Sequence, residues 1–192
     1  MARIDPVTAP FDDTAGPLLA TMMPSDAEPI ALFRTLVRNP TMSAAMGHWG
    51  RYELGRDLSL SRREREIVIL RTCARCACEY EWGVHVAVYA ERVGLDRDQV
   101  ASLTHGSPAD ACWTDPAEAA LVAAADQLHD TSHLDDDAWS ALAATRSTEQ
   151  RLDLLFLAGW YHAISYAANG AQVDHETWAP RFADYAPEPS SS

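Results

Sequence analysis

The sequence predicts one all-α domain, and three observations lead to this fold class. Apolar residues recur at helical spacing through most of the chain, whereas the alternation typical of strands is nearly absent. Helix-start signals, in which Ser or Asp precedes Glu or Pro, stand before several of these segments. The length of 192 residues, 47% of them hydrophobic, suits a single domain with a sizeable core.

The first predicted helices follow an N-terminal arm. Residues 1–24 are rich in Pro, Thr and Asp and form the predicted arm. Ser25 and Glu28 make a candidate capping box before an apolar-periodic stretch that stops at Pro40. A second helix is predicted over residues 41–54.

The strongest helix signal begins at Ser61, which forms a capping box with Glu64 and precedes a run of apolar residues at helical spacing. This helix is predicted to break near Cys76. A further helix is expected over residues 78–93, and Gly94 is positioned to end it, because glycine readily adopts the left-handed conformation found after helix ends.

Four more helices are predicted in the C-terminal half, three of them with an acidic residue at their start. Their limits are 96–103, 117–128, 135–144 and 148–172. Residues 25–180 therefore form the predicted domain, and residues 181–192 are predicted to be a flexible tail.

Charge and composition narrow the possible partners. The chain has 28 acidic and 15 basic residues and a formal net charge of −13, which repels nucleic acids and anionic membrane surfaces. Residues 154–173 carry no formal charge, but their polar side chains predict a buried helix rather than a membrane span. The first ten residues lack the apolar run of a secretory signal, so we expect a cytoplasmic protein with no nucleic-acid or membrane partner.

The residues with the most chemical potential are Cys78, Glu81 and His85. Their spacing places them within a narrow arc of one helix face, so they can share a pocket. They would supply a thiol, a carboxylate and a general acid or base, and the start of a helix favours a thiolate. Spacing alone favours a non-functional interpretation, in which these are a buried cysteine, a solvated acid and a core histidine.

A longer pattern, Glu66-x11-Cys78-x2-Glu81-x3-His85, resembles the carboxymuconolactone decarboxylase family, whose relatives include alkyl hydroperoxidase D. The hydroperoxidase branch carries Glu-x11-Cys-x2-Cys-x3-His, and this chain matches the glutamate, the first cysteine and the histidine. The resemblance implies an alkyl hydroperoxidase D-like helical bundle in which two antiparallel helices hold the site. It also implies that Glu66 packs against His85 and that the subunits assemble as trimers or hexamers.

The sequence departs from this pattern at Glu81, which stands where the hydroperoxidase branch has its second cysteine. A dithiol peroxidase needs one thiol that attacks and another that resolves, so the usual disulfide cannot form between positions 78 and 81. Cys76 or Cys73 remain as substitute resolving thiols.

No cofactor or metal is expected, although two sets of residues have suggestive spacing. Cys73, Cys76 and Cys78 crowd one helix and turn, which is a poor arrangement for a structural zinc site. The second set consists of Asp126, His129, Asp130 and His133. It lies where a helix is predicted to end, and the helix dipole favours a histidine at that position without any metal.

A polar stripe in the last helix is compatible with two roles, lining the pocket or bonding across a subunit interface. The stripe consists of His162, Ser165, Tyr166 and Asn169.

Three functional hypotheses follow. The first is a cofactor-independent acid–base enzyme that decarboxylates a small organic acid or lactone, or catalyses a related proton transfer. In it His85 moves the proton, Glu66 orients and charge-balances His85, Glu81 is a second acid or base, and Cys78 is a bystander or a polarising contact. The second is a peroxidase that uses Cys78 as its reactive thiol. The third is a non-catalytic oligomeric binding protein.

Overall fold

The structure, a computed structural model, describes residues 2–23 and 27–187, and within these ranges it contains α-helices and no strand. Ser25 of the candidate capping box lies outside the described residues. The helices are α1 (Ala15–Met22), α2 (Ala31–Leu36), α3 (Pro40–Glu53), α4 (Arg62–Arg75), α5 (Glu79–His85), α6 (Arg97–His105), α7 (Pro116–Thr131), α8 (Asp136–Ala143) and α9 (Thr148–Ala171).

Helix α4 lies at the centre of the bundle and packs against α5, α6, α7 and α9. It begins with the predicted capping box, in which the Ser61 hydroxyl accepts from the Glu64 amide and the Glu64 carboxylate accepts from the Ser61 amide. Every residue from Arg65 to Cys73 is buried. Because α4 is enclosed on all sides, its charged side chains need partners inside the protein.

Arg71 illustrates how one of these buried charges is paired. Its Nε and Nη2 atoms donate to the two carboxylate oxygens of Asp126 on α7, at 2.6 and 2.8 Å. Its Nη1 atom donates to the carbonyl oxygens of Ser102 and Leu103 near the end of α6. The pairing joins three helices and compensates for burial of the guanidinium.

The turn between α4 and α5 reverses the chain and brings the two helices together. The Cys78 amide donates to the Cys73 carbonyl at 2.8 Å, and the Ala77 amide donates to the Ala74 carbonyl at 3.0 Å. This is a Schellman motif, with Ala77 in the left-handed conformation (φ 50°) that glycine usually supplies. The break near Cys76 thus occurs where the sequence predicts it.

The helix predicted over residues 78–93 is not a uniform α-helix. It begins as α5, changes to a π-helical turn at Val86–Ala90 and ends as a 3₁₀ turn at Glu91–Val93. Gly94 follows with φ 71°, as expected for a residue that ends a helix. The π turn begins directly after His85, and such turns frequently occur at functional sites.

Both ends of the described chain are more ordered than the sequence predicts. The predicted arm contains α1, whose Leu19 is buried in a small cluster with Val37. The predicted flexible tail begins with a 3₁₀ turn at Phe182–Tyr185, and Trp82 packs against both end residues of this turn. Aromatic burial therefore holds residues 181–187 against the bundle.

Helix α9 matches the predicted buried helix in its limits but is only partly enclosed. One face, which includes Leu154, Leu157 and Tyr161, is buried in the core. Phe156 on another face is 58% exposed. Across the described ranges, the structure has no helix with the length and hydrophobicity needed to cross a membrane.

Candidate active site

The candidate site is built around His85, whose imidazole is buried between α4, α5 and α9. Its Nδ1 atom donates to Glu66 Oε2 at 2.7 Å, and Arg65 donates from Nε to Glu66 Oε1 at 2.8 Å. Arg65 Nη1 in turn donates to the carbonyl oxygen of Leu54. The turn at Cys76 therefore places Glu66 against His85, with a fixed cation behind it.

The other nitrogen of His85 faces two polar groups. Its Nε2 atom lies 3.1 Å from the Tyr161 hydroxyl and 3.4 Å from Glu81 Oε1. The second oxygen of Glu81, Oε2, is buried and has no hydrogen-bond partner among the described residues. The Tyr89 ring lies 5.2 Å from that of His85, between centroids, so the imidazole is held on several sides.

A cavity of about 320 Å³ adjoins the site. Glu81 and Tyr161, which both contact His85, line this cavity, whereas His85 does not. Arg51, which is exposed, adds a cation to the lining. Most of the remaining wall is apolar and comes from α2, α3 and α9, including Leu32, Phe33, Leu36, Met46, Trp160 and Ile164.

The surroundings of His85 favour its protonated form. Burial by itself lowers the pKa of His85, but the ion pair and hydrogen bond with Glu66, together with the carboxylate of Glu81, outweigh it and raise the pKa to about 9. The imidazole therefore carries a proton on each nitrogen at neutral pH. Tyr161 also keeps its proton, because burial and then the charges of Glu81 and Glu66 raise its pKa well above the usual value.

Cys78 occupies the predicted position before α5 but not the predicted environment. It is fully buried and does not line the cavity. Burial raises the pKa of its thiol to about 11, although contact with the Glu81 amide acts in the opposite direction. The expectation that the start of the helix favours a thiolate is therefore wrong for Cys78, because loss of hydration outweighs the helix dipole.

The polar stripe predicted on the last helix does not line the cavity, to which α9 contributes Trp160, Tyr161 and Ile164 instead. The Asn169 side chain donates to the carbonyl of Cys76. His162 contacts His129 of α7, Ser165 is fully buried and Tyr166 is largely exposed.

The residues with metal-like spacing between positions 126 and 133, for which no metal is expected, do not converge on a common point. Asp126 is held by Arg71 and Asp130 by Arg75, whereas His133 is exposed. His129 alone turns inward, towards α9.

Tyr161 and Arg51 belong to the site but are absent from the sequence prediction. Tyr161 precedes His162, the first residue of the polar stripe, and lies in an otherwise apolar, buried row of α9. Arg51 is an ordinary basic residue near the end of a helix. The sequence signal that could have identified Tyr161 is its hydroxyl group within an apolar helix face, because a buried hydroxyl needs a hydrogen-bond partner.

A family model described as "Carboxymuconolactone decarboxylase family" matches residues 40–127, a range that includes Glu66, Cys78, Glu81 and His85 but not Tyr161. No curated protein matches the chain.

Solved structures share the fold at low sequence identity. A variant of the debrominase Bmp8 in complex with 2,3,4-tribromopyrrole is 15% identical, with a TM-score of 0.72, and the match covers 91% of this chain and 92% of that chain. An uncharacterized peroxidase-related protein from Ralstonia eutropha JMP134, described as an alkylhydroperoxidase AhpD core, is 16% identical, with a TM-score of 0.73 and coverage of 91% and 93%. The all-helical fold is thus the AhpD-like fold.

Proposed function

We propose that the protein, whose residues 40–127 match the model of the carboxymuconolactone decarboxylase family, is a cofactor-independent acid–base enzyme. Its proposed substrate is a small organic acid or lactone with an activated carbonyl group, which it decarboxylates or alters by a related proton transfer. One observation carries the proposal: a buried chain of polar groups leads from Arg65 through Glu66 and His85 to Tyr161 and Glu81 on the cavity wall.

The chain of contacts suits delivery of a proton. When a carboxyl group leaves as carbon dioxide, the electron pair of the broken bond remains on the neighbouring carbon. That carbon takes the Tyr161 hydroxyl proton, and the phenolic oxygen takes the proton from His85 Nε2, 3.1 Å away. The Glu66 carboxylate stabilises the imidazolium before this transfer, and the neutral His85 left afterwards regains its proton from solvent.

Glu81 has the second role in this proposal. Its Oε1 atom lies near His85 Nε2, and its side chain lines the cavity, so the carboxylate can accept a proton from the substrate where the reaction begins with abstraction. A carboxylate and a protonated phenol on the same wall provide a base and an acid that face one ligand.

The cavity supports a small, mostly apolar substrate with one negative group. Its volume of about 320 Å³ is near the lower end of ligand pockets, and Arg51 is suited to pair with a carboxylate at its solvent side. The debrominase Bmp8 variant of the same fold was crystallised with 2,3,4-tribromopyrrole, which supports a ligand of this size.

The thiol peroxidase hypothesis has less support. Cys78 is fully buried and its pKa is about 11, so little thiolate is present at neutral pH. The nearby Cys76 thiol contacts His129 Nδ1 at 3.7 Å. No specific contact favours the hypothesis of a non-catalytic binding protein.

The test compares two variants on a panel of small lactones and carboxylic acids, following substrate consumption and release of carbon dioxide. Native mass spectrometry of the purified protein, which detects a bound metabolite, guides the choice of panel. We expect Tyr161→Phe to lose about tenfold or more in turnover, because it removes the donor, and Cys78→Ser to keep most of the activity. Loss of activity in Cys78→Ser alone would support the thiol hypothesis instead.

A further inference from the structure

We propose that Cys76, His129 and His162 form a binding site for a divalent transition metal, with zinc as the best match. These residues take no part in the proposed acid–base chemistry. The metal-binding atoms of the three side chains all lie within 4.8 Å of one another. The sequence does not reveal the cluster, because its members come from three distant segments.

The separations within the cluster match a tetrahedral centre. Zinc bonds of about 2.3 Å to sulfur and about 2.05 Å to nitrogen require a sulfur–nitrogen separation of roughly 3.6 Å and a nitrogen–nitrogen separation of roughly 3.3 Å. The Cys76 Sγ atom lies 3.7 Å from His129 Nδ1, and His129 Nδ1 lies 3.1 Å from His162 Nε2. These two separations are therefore close to those that a shared zinc ion requires.

A hydrogen bond to the backbone prepares His162 for this role. Its Nδ1 atom lies 2.8 Å from the carbonyl oxygen of Ala158, and a carbonyl can only accept, so Nδ1 carries the proton. The lone pair of neutral His162 is therefore on Nε2, which faces His129. Histidine ligands in metal sites are commonly oriented by such a bond from the second ring nitrogen.

The surroundings also fit a thiolate–imidazole centre. All three side chains are partly exposed, so an ion can reach them from solvent. The nearest acidic groups are already engaged, since Asp126 binds Arg71 and Asp130 binds Arg75. One sulfur and two nitrogen ligands favour zinc over magnesium or calcium, and the fourth position is left for water.

A metal here would join three parts of the bundle. Cys76 follows the last residue of α4, His129 lies in the last turn of α7 and His162 lies in the middle of α9. The ion would thus fix the turn between α4 and α5, which precedes Cys78. Binding only to the folded state should raise the stability of the protein.

The first experiment is a titration of the purified, chelator-treated protein with Co(II), followed by displacement with Zn(II). We expect saturation at one equivalent per chain, a thiolate-to-cobalt charge-transfer absorption and the intense visible bands of tetrahedral cobalt. We expect Cys76→Ser and His162→Gln to weaken Zn(II) binding about a hundredfold or more, since even residues that only orient metal ligands change affinity by about 10- to 100-fold.

Matched controls use residues of the same type elsewhere in the chain. Cys112→Ser and His133→Gln should bind Co(II) and Zn(II) like the unaltered protein. The proposal is wrong if the charge-transfer band is missing from the unaltered protein, or if Cys112→Ser removes it. If a site variant fails to fold, alkylation of Cys76 in the unaltered protein replaces it, and a band that survives this modification also overturns the proposal.

Discussion

His85 has both ring nitrogens engaged inside the protein, which makes it the residue on which the proposed chemistry depends most. Replacement by Gln keeps a similar volume but removes the titrating proton. We expect His85→Gln to retain the helical circular dichroism spectrum and to lose about a hundredfold or more in turnover. The exposed His133→Gln serves as the control, and unchanged turnover in His85→Gln would show that the site lies elsewhere.

The pH profile of the unaltered enzyme tests the same residue. Because the pKa of His85 is raised to about 9, the donor is protonated at neutral pH and is lost as the pH rises through that value. A step that consumes the proton of His85 should therefore slow above about pH 9.

The four cysteines differ in burial, and this predicts an order of reaction with iodoacetamide. Burial raises the pKa of all four thiols, but Cys76 and Cys112 are partly exposed, whereas Cys73 and Cys78 are fully buried. In folded, metal-free protein at neutral pH, peptide mapping should find Cys76 and Cys112 alkylated well before the other two. Rapid modification of Cys78 would contradict the environment described for it and favour a redox role.

At the scale of elements, the start of α4 is a local feature with a measurable contribution to stability. Ser61→Ala removes the hydroxyl that accepts from the Glu64 amide, and such a loss costs about 1 kcal/mol of unfolding free energy. Ser140→Ala, at an exposed position within α8, is a suitable control and should change stability by less than about 0.5 kcal/mol. Urea denaturation measures the unfolding free energy of both variants. Equal losses in the two variants would mean that the cap makes no specific contribution to stability.

The end of α3 packs near α9 and contains a second pH-sensitive group, Glu53. Its side chain is fully buried, and both carboxylate oxygens lack partners among the described residues. Burial, then the charge of Asp153, raises its pKa from 4.5 to about 7. The folded state therefore holds this proton more tightly than the unfolded state, and the resulting stability is present below about pH 4.5 and lost as the pH rises through 7.

Glu53→Gln removes this contribution, because the amide does not titrate. We expect the stability of the variant to fall less than that of the unaltered protein between pH 5 and pH 7.5. Urea denaturation midpoints at the two pH values measure this change in stability for each protein. An equal change in the variant and the unaltered protein would mean that Glu53 keeps an ordinary pKa in the folded state.

At the scale of the whole molecule, α3 and α9 present exposed apolar side chains that favour self-association. Leu152 is 51% and Phe156 58% exposed, and the Phe156 ring contacts the partly exposed Trp49. We expect a trimer or hexamer by light scattering, and a smaller assembly for Phe156→Glu. Trp178→Glu, outside both helices, should leave the mass unchanged, and a monomeric unaltered protein would contradict the prediction.

The division of the chain into an arm, a domain over residues 25–180 and a tail stays a prediction at this scale. The structure adds that α1 and residues 181–187 pack against the remainder. The few aromatic and aliphatic side chains of these segments show no clear periodicity, and their contacts are with residues distant in sequence. Their packing therefore could not be predicted from the sequence.

The sequence by itself determined the fold class and most helix limits. Capping boxes and the left-handed Gly94 act within three or four residues, so Ser61 and Asp96 mark helix starts whatever packs around them. The candidate site residues could also be identified from the sequence, because the helical period and the family pattern are enough to single them out. They are Glu66, Cys78, Glu81 and His85.

Only the tertiary structure decided what surrounds these residues. The Tyr161 hydroxyl reaches His85 across 76 positions of sequence, and the cluster of Cys76, His129 and His162 joins three helices. Burial likewise decided that Cys78 keeps its proton despite its place at a helix start. Contacts between distant segments, and the loss of water that accompanies them, depend on how the helices pack and not on local spacing, so the chemistry of the site emerges only when the bundle is assembled.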